Sequence, residues 1–494
     1  MVQERPLLII DEGTTSTRAI LYSVAGEILG ISRRDITQYY PSEGRVEHDA
    51  AEIWDKTLAC ARDMVAQAGG GDRIGAIGIT NQRETVVAWD RKTGTPLTRA
   101  IVWQDRRTAE RCRELRDAGH EPMIQERTGL LVDPYFSATK MAWILEHEPL
   151  ARELGDRLAF GTVESWLVWN LTGGLHITDA SNASRTMLMP IAGNDWDDEL
   201  LKLHGVARSS LPEIVDMAGQ FGSTRADLLG AAIPICGLAG DQQAATIGQN
   251  CRAPGDVKVT LGTGAFVLAN AGFKPPRSTH RLLGTVLTQL QGERVYALEG
   301  SIFVAGSLVK WLRDEMHMVG SAAETESLAT SVPDNGGVCI LPALSGLGAP
   351  HWRANVRGVI AGLSHATGRA HIVRAALEAM AHQMHDLKQA YEGDGCAWRT
   401  LRLDGGMSAN NWVAQDLADV LDLPVERPRD VETTALGAAM LASVGCGYDA
   451  SLQQAGRMRP EVSYFAPRME EERRAARLEL WHELLTSQLA QCAA

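Results

Sequence analysis

The chain has 494 residues, enough for two to four domains at roughly 100–200 residues each. Hydrophobic residues make up 45% of it and charged residues 22%, an ordinary globular balance that excludes wholesale disorder. Its 48 basic and 61 acidic residues leave a net charge of −13. That charge argues against nucleic acid or an anionic membrane surface as the main partner, while leaving room for a local basic phosphate pocket.

The N-terminus, MVQERPLLIIDEG, lacks the basic start and apolar stretch of a signal peptide. No run approaches the ~18 apolar residues of a spanning helix. The cysteines (Cys60, Cys112, Cys236, Cys251, Cys339, Cys396, Cys446 and Cys492) are scattered without a CxxC pair. They are expected to be reduced and mainly buried in a cytoplasmic protein, without a disulfide framework or a structural zinc site.

In chain order, short β-rich runs alternate with helical patterns, which predicts α/β layers. Residues 7–10, 18–22 and 28–32 read as successive strands. Ile53, Trp54, Thr57, Leu58, Ala61, Met64, Val65 and Ala68 then mark one face of a helix, with Asp49 as its cap and Gly69-Gly70-Gly71 as its stop. Strands follow at 74–79 and 85–89. The polar stretch GQNCRAPGD sets a domain boundary near 248–256, giving domains 1–250 and 251–494. The second half starts over, with strands 257–261 and 265–269 around Gly262-Thr263-Gly264. That turn echoes Gly13-Thr14-Thr15, a weak repeat signal taken alone. A helix at 371–391, a strand at 401–403 and helices at 410–421, 435–444 and 470–490 complete the order.

Several common nucleotide and catalytic signatures are missing: GxxxxGK[ST], a GxGxxG opening a helix, HRD, DFG, HExxH and GxSxG. Five apolar runs nevertheless end in similar polar chemistry, where open α/β sheets bind ligands. LLII ends in Asp11-Glu12-Gly13-Thr14-Thr15-Ser16, and IGAIGI in Thr80-Asn81-Gln82-Arg83-Glu84. AIVW (100–103) ends in Gln104-Asp105-Arg106, ICGLA (235–239) in Gly240-Asp241-Gln242-Gln243, and LRL in Asp404-Gly405-Gly406.

In DEGTTSTR, consecutive N–H groups and hydroxyls suit an anion nest, Arg18 adds positive charge, and Asp11 suits Mg²⁺. A polar hairpin turn gives the same pattern. Asp241 is placed to accept a hydroxyl proton in phosphoryl transfer, or simply to cap a helix. Gly405-Gly406 leaves a flat opening for a planar base, with Asn410 and Asn411 as hydrogen-bonding partners or, equally, Asn410 as a cap. Arg83-Glu84 offers donors and acceptors for vicinal hydroxyls, and Trp103 an apolar face for a short carbon chain. A salt bridge beside a core aromatic is the plainer alternative.

Taken together, these stretches resemble the FGGY carbohydrate kinases from residue 7 to about 445. Besides those above, the matching segments include DPYFSATKMAWILEHE, GTVESWLVW, TDASNASRTML, LGTGAFVLAN, YALEGSIFVAG and GVIAGLSHATGRAHIVRAALE. The resemblance implies an actin-like ATPase (ribonuclease H-like) fold, with two related domains around a central cleft and one phosphate-binding hairpin in each. Within the family, NQRE and WQDRRT point to glycerol as acceptor. ATP and Mg²⁺ are then expected as co-ligands, sn-glycerol 3-phosphate and ADP as products, and a homodimer or homotetramer as the assembly.

Carried over by position, Arg83, Glu84, Tyr135, Asp241 and Gln242 hold glycerol, with Trp103 and Phe266 flanking its carbons. Asp241 is the base and Asp11 the metal partner. Thr14, Thr15, Ser16 and Arg18 meet the phosphates of ATP or ADP, and Thr263 and Gly306 meet the nucleotide from the second domain. Lys310, Met407 and Asn411 occupy nucleotide positions, where the family commonly has Gln in place of Lys310 and Ala in place of Met407. Residues 223–234 lack a Gly-Gly-x-Arg loop for fructose 1,6-bisphosphate, and no histidine lies between 206 and 240 to be phosphorylated, so neither control is expected. A non-catalytic actin-like switch or filament protein is the alternative from another class, since fold alone does not decide function.

Overall fold

The computed structural model describes residues 5–353, 355–429 and 432–491. Its first central sheet contains β1 (Leu7–Glu12), β2 (Ser16–Tyr22), β3 (Ile28–Asp35), β4 (Ala76–Asn81), β5 (Ala218–Ser223) and β6 (Pro234–Gly240). The second contains β7 (Asp256–Leu261), β8 (Ala265–Gly272), β9 (Leu283–Leu290), β10 (Glu293–Ile302), β11 (Thr400–Asp404), β12 (Val425–Pro428) and β13 (Val462–Phe465). Their strand orders are β5-β6-β4-β1-β2-β3 and β9-β10-β8-β7-β11-β12-β13.

The two sheets repeat one pattern of pairing. β1 pairs antiparallel with β2 and parallel with β4, β2 antiparallel with β3, and β4 parallel with β6. β7 pairs antiparallel with β8 and parallel with β11, β8 antiparallel with β10, and β11 parallel with β12. The echo of Gly13-Thr14-Thr15 in Gly262-Thr263-Gly264 is therefore a structural repeat. β1 is buried along its whole length, as expected of a strand covered on both faces, which explains its continuous apolar run.

Five helices matter for the site and its support: α1 (Ala50–Ala68), α2 (Asp241–Gly248), α3 (Arg369–Gly393), α4 (Thr433–Gly445) and α5 (Glu471–Gln491). Asp49 caps α1 by accepting from the N–H of Ala51 at 2.9 Å and of Glu52 at 3.3 Å. Gly69 ends α1 in a left-handed conformation with φ 87°. The apolar stripe of α1 (Ile53, Leu58, Ala61, Met64, Val65) joins Leu8, Ile10, Ile77 and Ile79 in one core. α4 belongs to the C-terminal half yet covers the other face of the first sheet. Its Ala435, Ala438, Ala439 and Ala442 share a core with Leu7, Ile9 and Ala244. α3 runs behind the second sheet, where Leu377, Met380, Met384 and Leu387 meet Val257, Val259, Leu401 and Leu403.

The expected elements stand within one to three residues, with two exceptions. The run 100–103 is not a strand of a central sheet: only Ala100–Ile101 pair, with Glu47–His48. The run 85–89 shortens to Val87–Asp90 and joins a separate three-stranded sheet. The cause is local, because Glu84 takes φ 60° and turns the chain out of the first sheet. Cys60, Cys112, Cys236, Cys251, Cys339 and Cys396 are buried free thiols and Cys446 is half-buried, while Cys492 lies outside the described residues. Among the described residues no helix is long and apolar enough to cross a membrane.

α2 and α4 cross at glycines. A Cβ on Gly437 would fall inside the radius of the Ala244 carbonyl oxygen, and one on Gly248 inside that of Thr433. Both obstacles are backbone, which cannot swing aside as a side chain can. Gly437→Ala should therefore cost about 1–3 kcal/mol or more, the usual scale of overpacking. Urea unfolding reads this directly, and an unchanged midpoint would mean that the two helices are free to separate.

Candidate active site

The first hairpin follows β1. Gly13 closes it by donating to the Ser16 carbonyl at 3.0 Å. Gln82 Nε2 donates to the Gly13 carbonyl at 3.1 Å and Gln38 Nε2 to the Thr14 carbonyl at 2.6 Å, so the turn is held from both sides. Beneath it, Arg18 pairs with Asp11 and, at 2.5 Å, with Glu432. The second hairpin is closed by Gly262 donating to the Gly264 carbonyl at 2.9 Å. The N–H groups of Ala305 and Ser307 both donate to the Thr263 carbonyl at 3.0 Å, which docks the helix Gly306–Asp314 on this turn. A Cβ on Gly306 would lie 2.5 Å from the Gly262 carbonyl oxygen and 3.0 Å from Met407 Cγ. Thr263, Gly306 and Met407 thus meet at one place, and only glycine fits at 306.

Between the hairpins, the aromatic and charged residues expected around an acceptor come together. Trp103 packs edge-on against Tyr135 (centroids 5.6 Å) and against Phe266 (6.5 Å), so residues from both halves build one aromatic wall. Trp103 Nε1 donates to Thr14 Oγ1 at 3.0 Å, tying that wall to the first hairpin. Arg83 Nε lies 3.2 Å from Asp241 Oδ1, which also accepts from the Gln242 N–H at 2.7 Å. Asp241 Oδ2 has no hydrogen-bond partner among the described residues. Gln242 is held by the buried Lys258, whose Nζ donates to Gln242 Oε1 at 2.5 Å and to Thr260 Oγ1 at 3.0 Å. All seven residues expected around an acceptor are therefore gathered here.

Two residues that the sequence reading did not single out anchor the pocket. Glu299, on β10, accepts from Arg83 NH1 at 2.6 Å and NH2 at 3.1 Å, and from Arg185 NH2 at 3.0 Å. Arg185 Nε donates to Glu84 Oε1 at 2.7 Å. These two arginines and two glutamates form a buried, charge-balanced quartet. Burial works against the Glu299 carboxylate, but Arg185 and Arg83 outweigh it and hold the carboxyl at about 2. Burial pushes Glu84 up, offset in part by Arg83 and Arg185. It also pushes the Tyr135 phenol well up, so that group remains a donor. Arg185 and Glu299 lie within TDASNASRTML and YALEGSIFVAG, where Glu299 is the one charge of its stretch and Arg185 shares its own with Asp179.

The metal and nucleotide positions are less uniform. Burial raises Asp11, Arg18 pulls it back, and the charges of Glu432 and Asp241 add to the rise. Asp11 and Asp241 thus offer hard oxygen donors close enough to repel each other, a set that fits Mg²⁺. Arg18 is engaged by Asp11 and Glu432. Thr15 and Lys310 are exposed, and Ser16 is half-buried. Asn411 is tied to Glu326 (Nδ2 to Oε1, 3.2 Å) and to Arg427 (2.9 Å). Asn410 caps its helix by accepting from the Val413 N–H at 3.1 Å, the plainer of its two readings.

Two α/β halves built on sheets of one pairing pattern, each with a glycine hairpin after its first strand, define an actin-like ATPase fold. The chain belongs to the FGGY family of carbohydrate kinases: residues 7–248 match the N-terminal domain of that family and residues 257–446 the C-terminal domain. It is 52% identical over 485 residues to the glycerol kinase of Rhodospirillum centenum, covering 97% of each chain. It is 51% identical to that of Gluconobacter oxydans, covering 97% of this chain and 94% of the relative. Among solved structures, Plasmodium falciparum glycerol kinase with ADP superposes with a TM-score of 0.95 at 35% identity, covering 98% of both chains. Gluconate kinase from Lactobacillus acidophilus, at 20% identity and a TM-score of 0.90, shares the fold.

Under the first hairpin, burial lifts the Glu12 carboxyl from its ordinary 4.5 to about 8. Its Oε2 accepts from Thr57 at 3.1 Å, while Oε1 has no partner. A carboxyl raised on folding contributes stability that is fully present below about 4.5 and is lost as pH rises to about 8. Glu12→Gln is neutral throughout and removes that loss. Its melting temperature should gain on the unsubstituted chain between pH 5 and pH 8. A difference that stays constant with pH would show Glu12 to be ionised in the folded protein.

Proposed function

We infer that this chain phosphorylates glycerol with ATP, giving sn-glycerol 3-phosphate and ADP. The observation that carries the reading is the acceptor pocket: a carboxylate with one oxygen clamped and one oxygen open, beside Arg83, Glu84 and an aromatic wall, between two phosphate-type hairpins. Relatives sharing about half its residues over nearly full length are glycerol kinases by name, and a structural neighbour holds ADP.

The mechanism follows from these positions. Arg83, Glu84 and Tyr135 bind the glycerol hydroxyls, and Trp103 and Phe266 shield its carbons. Arg83 Nε and the Gln242 N–H fix Asp241 Oδ1, so Oδ2 is left to take the proton of the attacking hydroxyl as its oxygen bonds to the γ-phosphorus. Thr14, Thr15, Ser16 and Thr263 present hydroxyl and N–H donors to the phosphates, and donors already in place need no reorganisation during reaction. Arg18 would meet the phosphates, and Asp11 would hold Mg²⁺, which would neutralise phosphate charge. Gly306, Lys310, Met407 and Asn411 form the adenosine side. Closure of the nucleotide side over the bound phosphates excludes water, the competing acceptor. The setting is cytoplasmic and the assembly a homodimer or homotetramer.

Purified protein with Mg-ATP should release ADP in strong dependence on millimolar glycerol, and turnover indifferent to glycerol would favour a switch ATPase. Asp241→Asn should lower kcat by roughly 10²–10⁴-fold, the usual loss of a general base. Near-full turnover in that variant would remove Asp241 from the role.

A further inference from the structure

Outside the cleft, the outer face of α3 meets α5 at a cluster of imidazoles around one carboxylate. One ligating atom each from His385, Asp386 and His482 lies within 4.8 Å of the others. His482 Nε2 is 3.2 Å from Asp386 Oδ1. His351 Nε2 is 3.5 Å from Asp386 Oδ2, which also accepts from Trp481 Nε1 at 2.9 Å. Asp386 is buried, while His351, His385 and His482 are half-buried and reachable from solvent.

We propose that His385, Asp386 and His482 form a binding site for a zinc-like divalent transition-metal ion, which would fasten the C-terminal helix α5 to α3. The donor set is two imidazole nitrogens and one carboxylate oxygen, the mixture that borderline ions such as Zn²⁺ select over Mg²⁺ or Ca²⁺. Metal–ligand bonds of about 2.0–2.1 Å in a tetrahedron place neighbouring donors roughly 3.3 Å apart. His482 and Asp386 already stand at that separation, and the ligating atom of His385 lies within 4.8 Å of theirs. Two further features point the same way. His385 Nδ1 is buried and has no hydrogen-bond partner among the described residues, which is costly for a ring nitrogen unless something binds it. Trp481 Nε1 fixes Oδ2 of the carboxylate, the outer-sphere restraint that ligating carboxylates usually carry, and leaves Oδ1 turned to His482. Cysteine spacing signalled no zinc site, and none is needed: these ligands come from two helices about a hundred residues apart in sequence.

The test is zinc titration of the full-length, chelator-treated protein without nucleotide, in competition with a chromophoric chelator. One Zn²⁺ per chain should bind. His482→Ala and His385→Asn should each weaken that binding by roughly 10–100-fold or more, since even outer-sphere partners act on that scale. Zn²⁺ should raise the melting temperature of the unsubstituted chain and of neither variant. Folding of each variant is checked by its melting in chelator. The unsubstituted chain gives a readout independent of any variant: bound Co²⁺ should show the intense visible bands of a four-coordinate nitrogen and oxygen site. No stoichiometric zinc binding, binding unchanged in both variants, or a Co²⁺ spectrum like that of the aqueous ion would overturn the proposal.

Discussion

The bridge between Arg83 and Glu299 is the interaction on which the acceptor pocket depends. Arg83 stands at the end of β4 in the first sheet, whereas Glu299 belongs to β10 in the second. Both are buried, so neither can be satisfied by water. Removing one partner of such a pair typically costs about 3–5 kcal/mol, because a buried charge is left uncompensated. Arg185 and Glu84 extend the bridge to a quartet in which each charge faces its opposite. The Arg83 guanidinium therefore points one edge at Glu299 and places Nε 3.2 Å from Asp241 Oδ1, so this carboxylate is oriented by a pair it does not belong to.

This bridge also decides what can move. The hairpin of β9 and β10 is fused into the first lobe, where Leu283, Val286 and Tyr296 share a core with Leu130, Phe136 and Met187. Gly284 donates to the Gly129 carbonyl at 2.8 Å, and Gln243 Nε2 to Thr285 Oγ1 at 3.0 Å. The acceptor pocket is thus one unit built from both halves of the chain. On the nucleotide side the link is different: Arg18 reaches Glu432 through side chains that are each about a quarter exposed. Partly solvated pairs exchange partners at little cost, whereas buried ones do not. The arrangement favours a preformed acceptor site, with adjustment confined to the phosphate and adenosine side.

Strand ends, hairpins and helix stripes were legible in the sequence because they rest on local rules of periodicity, glycine turns and caps such as Asp49. Asp241, Arg83 and Glu84 stood out because each lies within three residues of the end of an apolar strand. The quartet was not, since Glu299 meets Arg83 and Arg185 meets Glu84 only through the tertiary fold, at separations of 216 and 101 residues. The run 100–103 misled for a related reason: it is apolar because it is buried, not because it pairs along its length. Asn410 and Asn411 illustrate the opposite limit. Their amides match a ligand-binding pattern, yet a cap, Glu326 and Arg427 already engage them, which no spacing reveals.

Glu84 shows why the site tolerates local strain. A left-handed glutamate costs on the order of 1–3 kcal/mol, and glycine would relieve it. Glycine would also delete the carboxylate that Arg185 needs and that the hydroxyl site uses. The turn is instead held in place: the Thr85 N–H closes it on the Arg83 carbonyl at 2.8 Å, and Ser137 Oγ donates to the Glu84 carbonyl at 3.1 Å. Lys140, buried and pushed down to about 8 by that burial, donates to the Tyr135 carbonyl at 2.5 Å and the Glu84 carbonyl at 3.4 Å. One cation thus steadies the backbone of both Glu84 and Tyr135. The turn that ends the strand early, and so diverts 85–89 from the first sheet, is the same turn that brings Arg83 and Glu84 side by side into the pocket.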